Sequence, residues 1–254
     1  MPYPPMSPLG TALLAGAAFV AGLVDAIAGG GGLVSLPALL AAGLPPQIAL
    51  GTNKGQAVFG AVASAVSFAG RREIDRDRVA IGFGAGFIGS WIGARGLLSV
   101  PLGPLRRTVM VLLVVAAAIV LARRGATSRP RVLAKRRART ALIGIAFLLG
   151  AYDGFFGPGT GSMLVIAFAT VFGDTLTRAS GNAKVVNLAS NLAAVLLFAS
   201  HGTVLWAVAL PMAGANALGA TTGAHFAIKK GDGLVRAVVL VVVIAVVVKL
   251  ALEL

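Results

Sequence analysis

The chain has 254 residues, of which 57% are hydrophobic and 12% charged, with a formal net charge of +14. A soluble domain carries about one-quarter charged residues, so this chain lacks the polar groups to cover a water-facing surface, and a soluble globular fold is excluded. A bilayer resolves the imbalance because there the solvent itself is apolar.

The N-terminal stretch MPYPPMSPLG has no basic residue before the first apolar run and no small-residue cleavage site after a short one, so the first apolar segment is expected to stay in the protein. Apolar runs between breakers predict helical segments at 8–28, 33–43, 46–70, 78–99 and 104–122 in the first part of the chain. The second part gives 139–153, 162–173, 175–201, 203–227 and 233–253. Segments 33–43 and 162–173 are too short for a hydrocarbon core that needs about 20 helical residues, and each follows a glycine-rich break. That combination predicts re-entrant or discontinuous helices, which membranes tolerate only where protein or a water-filled cavity surrounds them. Glu73, Asp75 and Asp77, interleaved with Arg71, Arg72, Arg76 and Arg78, read as a solvated loop.

The expected fold is therefore an all-α polytopic membrane protein of about ten helical segments, and its two parts resemble each other. GLVDAIAGGGG at Gly22–Gly32 recurs as GAYDGFFGPGTG at Gly150–Gly161, which sets Asp25 opposite Asp153. The run Ala49–Phe68 matches Arg178–Phe198, which sets Lys54 opposite Lys184. We read residues 1–122 as the first membrane repeat, 123–139 as a basic linker and 140–254 as the second repeat. Eight of the 22 Lys and Arg lie from Arg123 to Arg139, and Arg71, Arg72, Arg76, Arg78 and Arg236 flank apolar runs. Placement at segment ends is the pattern of cytoplasmic loops and argues against nucleic-acid binding. A cytoplasmic linker puts 71–78 and 228–236 on the same side, and both termini outside. Five segments per repeat is an odd number, so the repeats have opposite orientations, the architecture of many secondary transporters with a site at the repeat interface.

The candidate site follows from the breaks and from the charges inside apolar runs. Gly30, Gly31 and Gly32 precede one short helix, and Gly159, Thr160 and Gly161 precede the other. A helix N-terminus offers unpaired N–H groups and a positive dipole end, so two facing termini would cradle an oxyanion, with Ser35, Thr160 and Ser162 near enough to donate hydroxyls. Lys54 lies about eight residues into its segment and Lys184 about ten, roughly 12 and 15 Å deep. Cations at such depth are expensive and suit an anionic substrate; the alternatives are snorkelling or pairing with an aspartate of either half. Asn53 and Asn187, beside the lysines, join them as candidate ligands. Asp25 and Asp153 are candidates for carrying a coupling proton or for neutralising a lysine. The chain has no cysteine and only two histidines, His201 and His225, so no cofactor, metal centre or thiol nucleophile is expected, and an intramembrane enzyme has no nucleophile–base pair to use.

The glycine-rich segment after Asp25, the ALGTNK run ending at Lys54 and the AKVVNLASNLAA run beginning at Ala183 resemble the sulfite exporter TauE/SafE family of bacterial membrane permeases, over residues 8–254. The resemblance implies outward transport of small sulfur-containing anions such as sulfite or organosulfonates across the cell inner membrane. An anion channel that uses the same lysines as a selectivity element is the alternative reading. The expected partners are a small anion, the lipid bilayer and a candidate coupling proton; the oligomeric state stays open. Pro158 stands where the first break has Gly30, so the two half-sites are not chemically equal.

Overall fold

The computed structural model describes residues 7–101, 109, 111, 112 and 134–230. Among them the chain is helical, with no strand. Helix α1, Pro8–Ala28, starts at a Ser7 side chain that accepts from the Gly10 N–H at 3.1 Å, and ends where Gly29 turns left-handed with φ 75°. Short α2, Gly32–Ala41, follows at once and closes near Gly43, also left-handed at φ 87°. Pro45 and Pro46 open α3, Pro46–Gly70, because proline suits the first helical turn, where its missing N–H has no helical partner. Asp75 caps α4, Arg76–Leu98, by accepting from the Asp77 N–H. Then come α5, Lys135–Phe155, and short α6, Thr160–Ala167, which runs into a wider π turn at Phe168–Phe172 and stops at left-handed Gly173. Last are α7, Leu176–Ser200, capped by Thr175, and α8, Trp206–Lys230.

Eight of the ten expected segments thus have helices to match, and α1 and α3 keep the bounds read from the sequence. The expected segment 233–253 and nearly all of 104–122 lie outside the described residues. Among the described residues α1, α4, α5 and α7 are long and apolar enough to cross a membrane. Helices α3 and α8 are as long as α7, but polar residues such as Asn53, Lys54, Gln56 and Asn216 interrupt them, and these are buried. Leu9, Leu13, Val66, Leu148 and Leu218 are instead all about two-thirds exposed. Polar groups inside and large apolar groups outside is the distribution that lipid stabilises and water opposes.

Two helix pairs approach closely through glycine. Helix α1 lies along α8, where a Cβ at Gly22, Gly219 or Gly223 would collide with the backbone of the facing helix. Helix α5 lies along α4 in the same way at Gly89, Gly93, Gly150 and Gly154. Without a hydrophobic drive between helices in lipid, backbone proximity of this kind supplies the van der Waals contact that holds them. Helix α3 packs on α7 and α8, and α7 also packs on α4.

The two glycine breaks meet backbone to backbone. Ser162 donates its N–H to the Gly29 carbonyl at 2.9 Å and its hydroxyl to the Ala28 carbonyl at 2.7 Å. The first turn of α6 thereby satisfies the last carbonyls of α1, a mutual cap for groups that lipid would leave unpaired. Left-handed Gly29 and helical Gly161 leave no room for a side chain on either side of this crossing.

Buried apolar side chains form two clusters separated by a polar layer. Along α3, Leu50 belongs to one cluster and Phe68 to the other, and Asn53, Lys54 and Gln56 fall between. Along α7, Val186 belongs to the second and Ala194 to the first, with Asn187 and Asn191 between or beside them.

Candidate substrate site

Each buried lysine is paired with the aspartate of the other half. Lys54 Nζ on α3 lies 2.9 Å from Asp153 Oδ1 on α5, and both side chains are almost fully buried. Lys184 Nζ on α7 lies 2.6 Å from Asp25 Oδ2 on α1, with the lysine wholly buried and the aspartate side chain 28% exposed. Snorkelling is therefore not what these lysines do. Each stands against the carboxylate that precedes the other glycine break.

The two pairs have different surroundings. Ser190 donates its hydroxyl to Asp153 Oδ2, and the Ser190 carbonyl in turn accepts from Ser90 on α4 at 2.6 Å. Asp25 Oδ1 accepts from the Gly31 N–H at 3.4 Å, at the start of α2. On α3, Asn53 Oδ1 accepts from Ser35 at 2.6 Å and from Gln56 Nε2 at 3.0 Å. Gln56 Oε1 is buried with no donor. Buried polar groups without partners are costly, so this orphan marks a place where the interior is not built for stability alone.

A cavity of about 40 Å³ opens beside the Lys54–Asp153 pair. It holds about three water-sized groups, the scale of a small oxyanion. Its walls are Asp25, Gly29, Gly31, Gly32 and Ser35 from the first break and α2, with Asn53, Lys54, Gln56 and Ala57 from α3. Asp153, Gly157 and Gly161 complete it from the second break, with Asn187 and Asn191 from α7 and Asn216 from α8. Every polar wall side chain is thus an amide, a hydroxyl or a member of an ion pair. Among the described residues no cluster of His, Asp and Glu is arranged to hold a metal ion.

Of the residues singled out in the sequence, Lys54, Asn53, Asn187, Gly31, Gly32, Ser35, Gly161, Asp25 and Asp153 converge on this cavity. Gly30, Gly159, Thr160, Ser162 and Lys184 lie outside its walls. The three hydroxyls are engaged with the protein itself: Ser35 with Gly31 and Asn53, Thr160 with the Gly157 carbonyl at 2.7 Å, and Ser162 with Ala28. Sequence reasoning did not single out Asn216, Ser90, or Ser190 as the partner of Asp153. The signal for Asn216 was available, since it is an amide in the middle of an otherwise small and apolar run.

The stretch 71–78 is more than the expected solvated loop. Arg78 bridges Asp75 at 3.1 Å and Asp174 at 2.8 Å, and its guanidinium lies 4.3 Å from the centre of the Phe172 ring. Asn182 of α7 accepts from the Asp75 N–H and donates to Asp174, both at 2.8 Å. Gly181 lets the Glu73 carbonyl approach α7 closely. Charge interleaving suggested solvation because the partners, Asp174 and Asn182, stand about a hundred residues away.

Helices with apolar exteriors, broken helices crossing inside and ionised pairs around a small cavity are the features of a polytopic membrane transporter. The chain belongs to the sulfite exporter TauE/SafE family, whose sequence model matches residues 14–250. It is 38% identical over 225 residues to a "Probable membrane transporter protein" of Haemophilus influenzae, covering 88% of this chain and 87% of that one. It is 35% identical over 243 residues to the "Probable membrane transporter protein YfcA" of Escherichia coli, covering 93% and 88%. A "Probable membrane transporter protein ORF9" of Sinorhizobium is 34% identical over 237 residues, covering 92% and 89%. No solved structure matches the chain significantly.

Proposed function

We propose that this protein is a secondary transporter that moves small sulfur-containing anions, such as sulfite or organosulfonates, out across the cell inner membrane. The substrate enters the cavity beside Lys54, and alternating access exposes that cavity to one side and then the other. The observation that carries this reading is the exchange of partners between halves: Lys54 with Asp153, and Lys184 with Asp25. A site assembled from both halves changes its exposure when one half moves against the other.

The packing supports an inverted repeat of residues 1–122 and 140–254 joined by a cytoplasmic linker 123–139. Exchanging the halves turns the α1–α8 contact into the α5–α4 contact, and the α3–α8 contact into the α7–α4 contact. Opposed repeats make each broken pair a hairpin, α1–α2 entering from outside and α5–α6 from the cytoplasm, with their breaks crossing at Gly29 and Gly161. Both termini then lie outside, and the Arg78 network lies on the cytoplasmic side.

Within the site Lys54 is the residue that meets the anion, and Asn53 and Asn187 orient it with amide groups. Among the described residues neither amide nitrogen has a bond to protein, so both are available. Lys184 does not reach the cavity and instead fixes Asp25 at its wall. Sulfite fits the cavity as it stands, whereas an organosulfonate requires the walls to move. Apolar clusters on either side of the cavity favour a carrier over a channel.

Counterflow tests this reading. Proteoliposomes preloaded with sulfite are expected to take up labelled sulfite in a saturable, exchange-accelerated manner, and Lys54→Met is expected to abolish it. Flux that rises linearly with concentration and shows no counterflow would point to a channel instead.

A further inference from the structure

We propose that Asp153 takes up one proton with each anion that binds, so that anion and proton cross together and without net charge, outward when the gradient of the anion exceeds the opposing proton gradient; this rests on the transport reading above. The resting site is electrically balanced, with two lysines against two aspartates. Among the described residues Lys54 has Asp153 as its one charged partner, at 2.9 Å, with side-chain exposures of only 3% and 6%. An anionic oxygen that approaches Lys54 through the cavity therefore meets an ammonium that is already neutralised. It also brings a second negative charge beside Asp153, and two buried anions around one cation leave a net charge with no water to solvate it.

A proton on Asp153 removes that charge. The O–H bond forms on the carboxylate as the proton arrives from whichever aqueous phase the cavity then faces, and it breaks on release to the other. Lys54 is freed to turn to the anion, while Ser190 keeps a hydrogen-bonding partner in the neutral acid. The loaded site is again balanced: one lysine with one anion, one lysine with Asp25, and a neutral carboxylic acid.

Asp25 is not equivalent. Its lysine, Lys184, is wholly buried and outside the cavity wall, so it cannot turn from Asp25 toward the anion, and Asp25 stays compensated whether the cavity is empty or full. Around Asp153 the other ionisable or charged groups are few. Helix α3 presents Lys54, and α1 presents Asp25 across the cavity. Helix α7 presents Ser190, with Lys184 bonded to Asp25. Helix α4 meets this turn through Ser90 and Gly93, and its nearest charge, Arg95, is exposed. Helix α6 carries no ionisable residue, and on α5 itself Tyr152 donates to the Pro158 carbonyl at 2.9 Å.

The test uses methanesulfonate, a monoanion that does not itself titrate near neutrality, in proteoliposomes with the membrane potential clamped. Net uptake by the wild type should be accelerated at least tenfold by an acid exterior and accompanied by one proton per anion, read from a trapped pH dye. In Asp153→Asn the ratio of protons to anions should fall to near zero, whatever rate of anion movement remains. A second measurement needs no variant: wild-type protein in detergent should take up a proton from weakly buffered solution as methanesulfonate binds. Net anion uptake by the wild type without proton uptake, or coupling that survives in Asp153→Asn, would overturn the proposal and leave the transport reading standing. Absence of exchange with both methanesulfonate and sulfite would overturn the transport reading and this inference with it.

Discussion

At the scale of single residues, the account turns on four charges inside an apolar chain. Lys54 and Lys184 were legible because a charge within an apolar helix is too costly to be incidental. Their partners were not legible, since each lysine had an aspartate available in both halves and sequence distance does not distinguish them. Burial makes the pairing consequential. Lys54→Met is expected to destabilise the protein by about 3–5 kcal/mol, because it leaves the buried Asp153 carboxyl without its partner. Adding Asp153→Leu should restore most of that loss, since an apolar pair of similar volume is often as stable as the ion pair it replaces. Unfolding of the single and double variants in detergent checks both steps. Equal destabilisation in the two would mean that the pair is not coupled as the 2.9 Å contact indicates.

At the scale of elements, the glycines were legible as breaks but not as contacts. Runs at Gly29–Gly32 and Gly157–Gly161 read as breaks before re-entrant or discontinuous helices. That they face each other was expected, but their direct contact depends on which carbonyls need partners once α1 ends; Ser162 serves Ala28 and Gly29 rather than a ligand. The glycines within helices carry a second prediction. Gly154→Ala and Gly219→Ala place a Cβ against the facing backbone and should cost about 1–3 kcal/mol. Gly16→Ala meets open space and should be neutral or stabilising by up to about 1 kcal/mol. Thermal unfolding of the three variants separates packing from helix propensity. Comparable losses in all three would show that close helix approach is not what those glycines provide.

At the scale of the whole molecule, the matched motifs suggested a two-part chain, and the α1–α8 and α4–α5 contacts, like the α3–α8 and α4–α7 contacts, exchange under the repeat we propose. What escaped the sequence was the ionic network at one end, where Arg78, Asp75, Asp174 and Asn182 join the halves across a long separation. In the orientation proposed above this network lies at the cytoplasmic end, where it would hold that side closed. The chain has no cysteine, so a single cysteine introduced at the cavity residue Ala57 reports access cleanly. Arg78→Ala should raise its labelling by an impermeant thiol reagent from the cytoplasmic side several-fold. Arg78→Glu combined with Asp174→Arg should bring labelling back down. Labelling unchanged by Arg78→Ala would remove the network from the transport cycle.

The central claim is that a small sulfur oxyanion binds beside Lys54, and its most direct test is ligand stabilisation of the purified protein. A ligand that binds only the folded state raises the unfolding temperature. Unfolding would be followed in detergent with sulfite, sulfate, thiosulfate, sulfoacetate, taurine, acetate and chloride, for the wild type and for Lys54→Met with Asp153→Leu, the pair variant expected to remain folded. The account predicts a selective shift by a sulfur oxyanion in the wild type and its loss in the pair variant. A shift of the same size in both, or no selectivity among the anions, would contradict it.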